Sequence, residues 1–212
     1  MNIALIGATG FVGAALLNEA LARGHHVTAL LRQPGKLAAN PQVKAVEADV
    51  NDVAALSAEL AGMDAVLSAF SGHAEGDVLA YYMAGMRAIV AAVKEARAPR
   101  LLVVGGAGSL EVAPGVQLID TPGFPDAYKA TAEGARQALA LLRAQSALDW
   151  TMLSPAAMLA PGRRTGVFRL GGEQLLHDAD GKSAISVEDY AVAMIDELER
   201  PAHRRQRFTL AY

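Results

Sequence analysis

A glycine triplet near the start of the chain constrains its fold more than any other feature. Asn2-Ile3-Ala4-Leu5-Ile6 is a short, mostly apolar run, the pattern of a buried parallel strand. It breaks at Gly7-Ala8-Thr9-Gly10-Phe11-Val12-Gly13. Apolar residues then recur at helical spacing through Phe11, Ala15, Leu16 and Ala20, and the run stops at Gly24. This is strand, glycine turn and helix, with a glycine just past the helix end. A helix N-terminus carries unbonded N–H groups and the positive end of the helix dipole. Glycines let the backbone bend sharply and come close to a phosphate. The spacing Gly-x-x-Gly-x-x-Gly is a relative of the dinucleotide fingerprint Gly-x-Gly-x-x-Gly. Gly7, Thr9, Gly10, Phe11, Val12 and Gly13 are therefore read as a pyrophosphate cradle. The competing reading is a tight strand-to-helix turn with no ligand.

The rest of the chain repeats the alternation of strand and helix. Short apolar runs at 25–31, 43–48, 64–68, 100–104 and 149–153 predict further strands, and a long helix is expected over 77–97. On that helix Tyr81, Gly85, Ile89 and Val93 fall on one stripe, as a packing face requires. The pattern predicts an α/β fold, a doubly wound parallel sheet of Rossmann-like type, in one domain over residues 1–212. Near the C-terminus Thr165 to Leu170 and Glu173 to Leu176, joined through Gly171-Gly172, read as a hairpin. Residues 154–186 are expected to form most of a small lobe on the substrate side. Ser186 caps a last helix, with Asp189 completing a capping box. Arg207 to Leu210 read as a final edge strand.

Ligands of such sheets sit beyond the carboxyl ends of the strands. That places the Ser68 to Gly72 backbone, with Ala69 and Phe70, beside the ribose and nicotinamide, although Phe70 reads equally well as core. At the end of the second strand an NAD site usually has an acidic residue for the ribose 2′-hydroxyl. This chain has Arg32 there, with Lys36 following. Two cations suit the 2′-phosphate of NADP(H), so NADP(H) is the expected cofactor and NAD(H) the alternative. Ordinary surface charge is the competing reading of both residues.

Composition removes several classes. There is no cysteine, so thiol catalysis, disulfides and cysteine-held metal are excluded. The formal net charge is −3, which offers no general argument for a nucleic-acid partner. Glycines cut the apolar N-terminus, and an apolar run of about twenty residues is absent, so neither a signal peptide nor a membrane span is expected. The expected setting is cytoplasmic, as monomer or homodimer, with no metal. Adjacent His25 and His26 point to opposite strand faces and are read as structural. His73, His177, Arg163 and Arg164 are read as solvated or structural, with substrate contact the lesser reading.

The glycine motif, the Asp64 to Gly72 segment and the Ser183 to Asp189 segment resemble the atypical short-chain dehydrogenase/reductases. The narrower resemblance, over the whole chain, is to small NAD(P)-binding proteins labelled NADH-flavin reductases, relatives of biliverdin reductase B and of NmrA-like regulators. The resemblance implies that Asp49 and Val50 meet the adenine, with turn capping the plainer role for Asp49. It also implies that Ser154 and Pro155 turn over the nicotinamide, and that Ser109 contacts the substrate unless it is a turn serine. Better-known members use Tyr-x-x-x-Lys, where the lysine lowers the tyrosine pKa for proton transfer. Tyr128 lies in that region, but four residues on stands Ala132, and the adjacent Lys129 does not share its helix face. Tyr128 is thus expected to touch substrate without acting as base.

The expected activity is NADPH-dependent hydride transfer to a small, flat redox acceptor such as FMN, another flavin or a quinone. The alternative is an NADP(H)-binding redox sensor of NmrA-like type. Nucleotide-sugar epimerase or dehydratase chemistry ranks third, because the lysine is missing.

Overall fold

The computed structural model describes residues 1–72 and 76–212; His73 lies outside them. In chain order the first elements are β1 (Asn2–Ile6), α1 (Phe11–Ala22), β2 (His26–Leu31), β3 (Val43–Glu47), α2 (Val53–Leu60), β4 (Ala65–Ser68), α3 (Val78–Glu95) and β5 (Leu101–Val104). The short strands β6 (Glu111–Ala113) and β7 (Val116–Gln117) pair with each other before α4 (Asp126–Arg143). The chain continues through β8 (Trp150–Ser154), β9 (Met158–Ala160), β10 (Arg169–Gly171), β11 (Ala184–Ser186), α5 (Val187–Glu199) and β12 (Gln206–Ala211).

The main sheet has eight strands in the order β10-β12-β8-β5-β4-β1-β2-β3. Its pairings are parallel except for β10 on β12. β1 lies between β2 and β4, so the chain reverses its direction of winding there. Such a reversal opens a crevice at the carboxyl ends of the strands. Every residue of β4 and β8 is buried, as strands covered on both faces must be. β3, at the edge, carries exposed Lys44 and Glu47, which discourage further strand pairing.

Alternation along β1 divides the core. Ile3 and Leu5 pack with α1 and α5 on one face, and Ala4 and Ile6 pack with α2, α3 and α4 on the other. The packing stripe of α3 is Tyr82, Met86, Ile89, Val90 and Val93; Tyr81 turns away from it.

Three local expectations are corrected. The segments 165–170 and 173–176 do not form a hairpin; Arg169–Gly171 lie antiparallel on β12, with Arg169 opposite Ala211. β12 is consequently not an edge. Phe208-Thr209-Leu210-Ala211 carries no charge and is buried throughout, so it requires a strand on each side, β8 and β10. The capping box is half made. The Ser186 hydroxyl accepts the Asp189 N–H at 3.0 Å, but the Asp189 carboxylate turns to Thr165, Gly166 and Tyr212.

A buried polar cluster holds the amino ends of β5 and β8. Arg100 donates to the Glu197 carboxylate at 2.5 Å, to the Glu197 carbonyl at 2.9 Å and to Thr151 Oγ1 at 2.9 Å. His203 Nδ1 lies 2.8 Å from the other Glu197 oxygen, and its ring stacks on Phe208 at 4.2 Å. Burial works against the Glu197 carboxylate, but the N–H groups of His203 and Ala202, the His203 ring and Arg100 outweigh it. Its pKa lies below the ordinary value.

Candidate functional site

A groove of about 300 Å³ opens at the switch point. Gly7, Thr9 and Gly10 come from the β1–α1 turn, and Arg32, Gln33 and Lys36 from the segment after β2. Ala48 and Val50 follow β3; Ala69, Phe70 and Ser71 follow β4; Tyr81 stands in the first turn of α3. Ile6, Leu30 and Leu31 close its base. Among the described residues, the charged side chains in this lining are Arg32 and Lys36, with no carboxylate. The first turn of α1 also carries no acidic residue. Arg32, Lys36 and the nearby N-terminus of α1 are groups that suit an anion.

The three glycines of the turn differ in what demands them. Gly7 has φ +81°, and a Cβ there would lie 2.7 Å from the Ala69 carbonyl oxygen. A Cβ on Gly13 would lie 2.0 Å from the Gly7 carbonyl oxygen. The fold itself requires both residues to be glycine. Gly10 has φ −76°, is exposed, and would place its Cβ at a tolerable 3.4 Å from Gly7. No side chain caps α1, whose N-cap is the bare Gly10. A pyrophosphate fits such a cradle.

Phe70 forms the wall beyond β4. Its ring stacks on Tyr82 at 5.9 Å with planes 7° apart, and Tyr81 leans on it at 5.5 Å. Behind it lies Gly85, where a Cβ would fall 2.3 Å from the Phe70 ring. Both readings of Phe70 thus apply, since it packs on the core and lines the groove.

Of the sequence-predicted residues, Gly7, Thr9, Gly10, Arg32, Lys36, Val50, Ala69 and Phe70 meet in this groove. Phe11 is exposed beside it, Val12 packs against the core and Gly13 is buried. Asp49 is not in the lining; its carboxylate accepts from the Asn51 N–H at 2.9 Å and closes the turn. Ser68 and Ser154 are buried at the carboxyl ends of β4 and β8, with Pro155 buried after them. Neither serine hydroxyl has a partner among the described residues. The Leu153 carbonyl accepts from the Gly105 N–H at 2.8 Å and the Tyr190 hydroxyl at 2.7 Å, which ties the ends of β5 and β8 together.

The two residues expected to meet substrate lie apart from the groove lining. Ser109 is buried, and its oxygen accepts from Arg207 at 3.1 Å. Arg207 is itself buried and paired with Glu173. Burial opposes the Glu173 carboxylate, but Arg207 and Arg143 hold its pKa below the ordinary value. The sequence hides this arrangement because Arg207 is nearly a hundred residues from Ser109. Tyr128 is 63 % exposed on α4, and Lys129 beside it pairs with Asp126. His177 is exposed, and Arg164 binds Glu19 through two hydrogen bonds. Sequence reading missed Gln33 and Tyr81, while Ser71 falls within the Ser68 to Gly72 segment expected beside the nucleotide. The signal for Tyr81 was its place in the first helical turn after β4, which faces the crevice whatever the packing stripe.

The fold and groove define a doubly wound, Rossmann-like α/β protein with its crevice at the switch point. The NAD(P)H-binding family matches residues 7–201. The chain belongs to that family. A solved structure from Burkholderia pseudomallei, provisionally called an exported protein, is 49% identical with TM-score 0.91, covering 100% of both chains. One from Bacteroides thetaiotaomicron, provisionally called an epimerase, is 44% identical with TM-score 0.93, covering 100% of this chain and 96% of that one. One from Streptococcus pneumoniae, provisionally called an NADH-flavin reductase, is 36% identical with TM-score 0.88, covering 100% and 99%. The resemblance carried by the glycine motif is borne out, while the two descriptions that name an activity differ in it. Among the described residues, no helix is long and apolar enough to cross a membrane, and no cluster of three metal-ligating side chains occurs.

Proposed function

We propose that the protein is an NADPH-preferring reductase that passes hydride to a small, flat redox acceptor such as a flavin or quinone. One observation carries this reading: Gly10, a glycine the fold does not need, lies in a groove whose lining includes Arg32 and Lys36. A bare backbone suits a pyrophosphate, and the two cations suit a further phosphate on the ribose. When bound, NADPH supplies the hydride, which leaves NADP⁺ and a reduced acceptor whose proton comes from water.

The chain's own task is to bind and orient. Arg32 and Lys36 hold the 2′-phosphate, Gly7 to Gly13 hold the pyrophosphate, and Ser68, Ser154 and Pro155 bound the sheet end toward which the nicotinamide extends. The acid–base pair of better-known relatives is missing, and Ser109 is held by Arg207. Stacking and orientation therefore carry the catalysis, which suits an acceptor that needs no protein acid. The acceptor is the proposed partner, and the cytoplasm, where NADPH is regenerated, the proposed setting.

The test is titration with NADPH and NADH, paired with oxidation assays against a panel of flavins and quinones. NADPH is expected to bind more tightly than NADH. Arg32→Glu with Lys36→Glu should weaken NADPH at least tenfold and change NADH little, since each cation is worth about 1 kcal/mol or more against a phosphate. Equal loss for both nucleotides would sink the assignment of the two cations. Nucleotide binding with no acceptor oxidised would favour the redox sensor.

A further inference from the structure

Tyr81 lines the groove, yet neither the glycine motif nor the resemblance assigns it a role. We infer that Tyr81 stacks on the adenine ring of the bound dinucleotide and sets the affinity for its adenosine half. This rests on the NADPH reading above and deepens it.

The groove has two chemically distinct parts. One is cationic, formed by Arg32 and Lys36 beyond β2. The other is an apolar slot between Val50, beyond β3, and Phe70 with Tyr81, beyond β4. These walls face each other across the ends of β1 and β2, because β3 and β4 flank that pair in the sheet. A dinucleotide has two flat rings. The adenine is one ribose away from a 2′-phosphate, whereas the nicotinamide lies beyond both bridging phosphates. An apolar slot next to the cationic pair therefore receives the adenine.

The two aromatic residues of the slot are not equivalent. Phe70 is fixed, stacked on Tyr82 and backed by Gly85. Tyr81 is half-buried, tilted 49° to Phe70 and outside the stripe that packs α3 on the sheet. Its orientation is thus not spent on the core. A tyrosine ring offers a nucleobase a broad face at little conformational cost. The phenol hydroxyl is not needed for stacking, so phenylalanine should serve equally.

Calorimetric titration separates the halves of the cofactor. The ligands are NADPH, 2′,5′-ADP and reduced nicotinamide mononucleotide. The proteins are the parent chain, Tyr81→Phe and Tyr81→Leu, each checked by its melting temperature without ligand. Tyr81→Phe is expected to bind all three within about twofold of the parent. Tyr81→Leu should weaken NADPH and 2′,5′-ADP by a common factor, about five- to a hundredfold from the usual strength of base–aromatic stacking. The mononucleotide should be unaffected. If Tyr81→Leu lowers the melting temperature sharply, Tyr81→His keeps a flat ring and should bind 2′,5′-ADP within a fewfold of the parent. Tyr81→Leu that binds 2′,5′-ADP as well as the parent overturns the inference while leaving the cofactor reading intact. A parent chain that binds no NADPH overturns both.

Discussion

The two halves of the sheet end differently. Beyond β1, β2 and β4 the strand ends open on a groove lined by bare backbone, two cations and aromatic rings. Along and beyond β5, β8 and β12 the chain holds several of its own polar groups: Arg207 holds Ser109, Thr209 holds the Ser154 carbonyl, and Tyr190 holds the Leu153 carbonyl, while the Ser154 hydroxyl has no partner among the described residues. One half is shaped to receive a ligand, and the other to remain in place beside it. Substitutions in the second half should therefore act on stability, and substitutions in the first half on binding.

The largest expected effect lies under the second half, at the amino ends of β5 and β8. Glu197→Ala leaves the buried Arg100 guanidinium without its carboxylate, and removing one partner of a buried pair costs about 3–5 kcal/mol. Denaturant unfolding should show that loss. NADPH affinity, measured where the variant is still folded, should stay within about twofold. A large fall in affinity at intact fold would break the division between the halves.

A pair of glycine substitutions sharpens the contrast within one turn. Gly13→Ala forces a methyl group against the Gly7 carbonyl and should cost about 1–3 kcal/mol of stability. Gly10→Ala meets no such obstacle and should change stability by no more than about 0.5 kcal/mol. It should nevertheless weaken NADPH about tenfold or more, because the methyl group stands where a pyrophosphate approaches. If Gly10→Ala bound nucleotide normally, the bareness of that backbone would have no ligand to explain it.

The smallest expected effect is on pH dependence. Burial disfavours the Asp189 carboxylate, but Thr165, Gly166 and Tyr212 together hold its pKa below the ordinary 3.8. A pKa depressed by folding contributes stability above the unfolded value and loses it as pH falls through the folded value. The parent chain should therefore lose stability below about pH 4. Asp189→Asn should be less stable at pH 7 and show a shallower acid-side decline in melting temperature. An unchanged acid limb would remove Asp189 from the account of that decline.

The first half was far more legible in the sequence than the second. Its information is local: Gly7 to Gly13, Arg32 and Phe70 each lie directly after the strand that presents them. In the second half, position depends on partners distant in the chain. Ser109 read as a substrate contact because nothing near it in sequence announces Arg207. The 165–176 segment read as a hairpin because Gly171-Gly172 looks like a turn, whereas β10 pairs with β12 near the chain's end. Tyr81 was misplaced for another reason. Helical periodicity assigned it to the packing stripe with Gly85, but a residue in the first turn can face the crevice instead.

The insertion of β12 between β8 and β10 has a consequence for synthesis. β10 has β12 as its neighbour in the sheet, so it emerges from the ribosome before anything exists for it to pair with. At about 5–20 residues per second the interval lasts on the order of seconds, long compared with the formation of any helix or turn. During it β8 has β5 on one side and an open apolar flank on the other. The nascent chain thus passes through a state with two unfilled strand positions, which the arrival of one segment closes together.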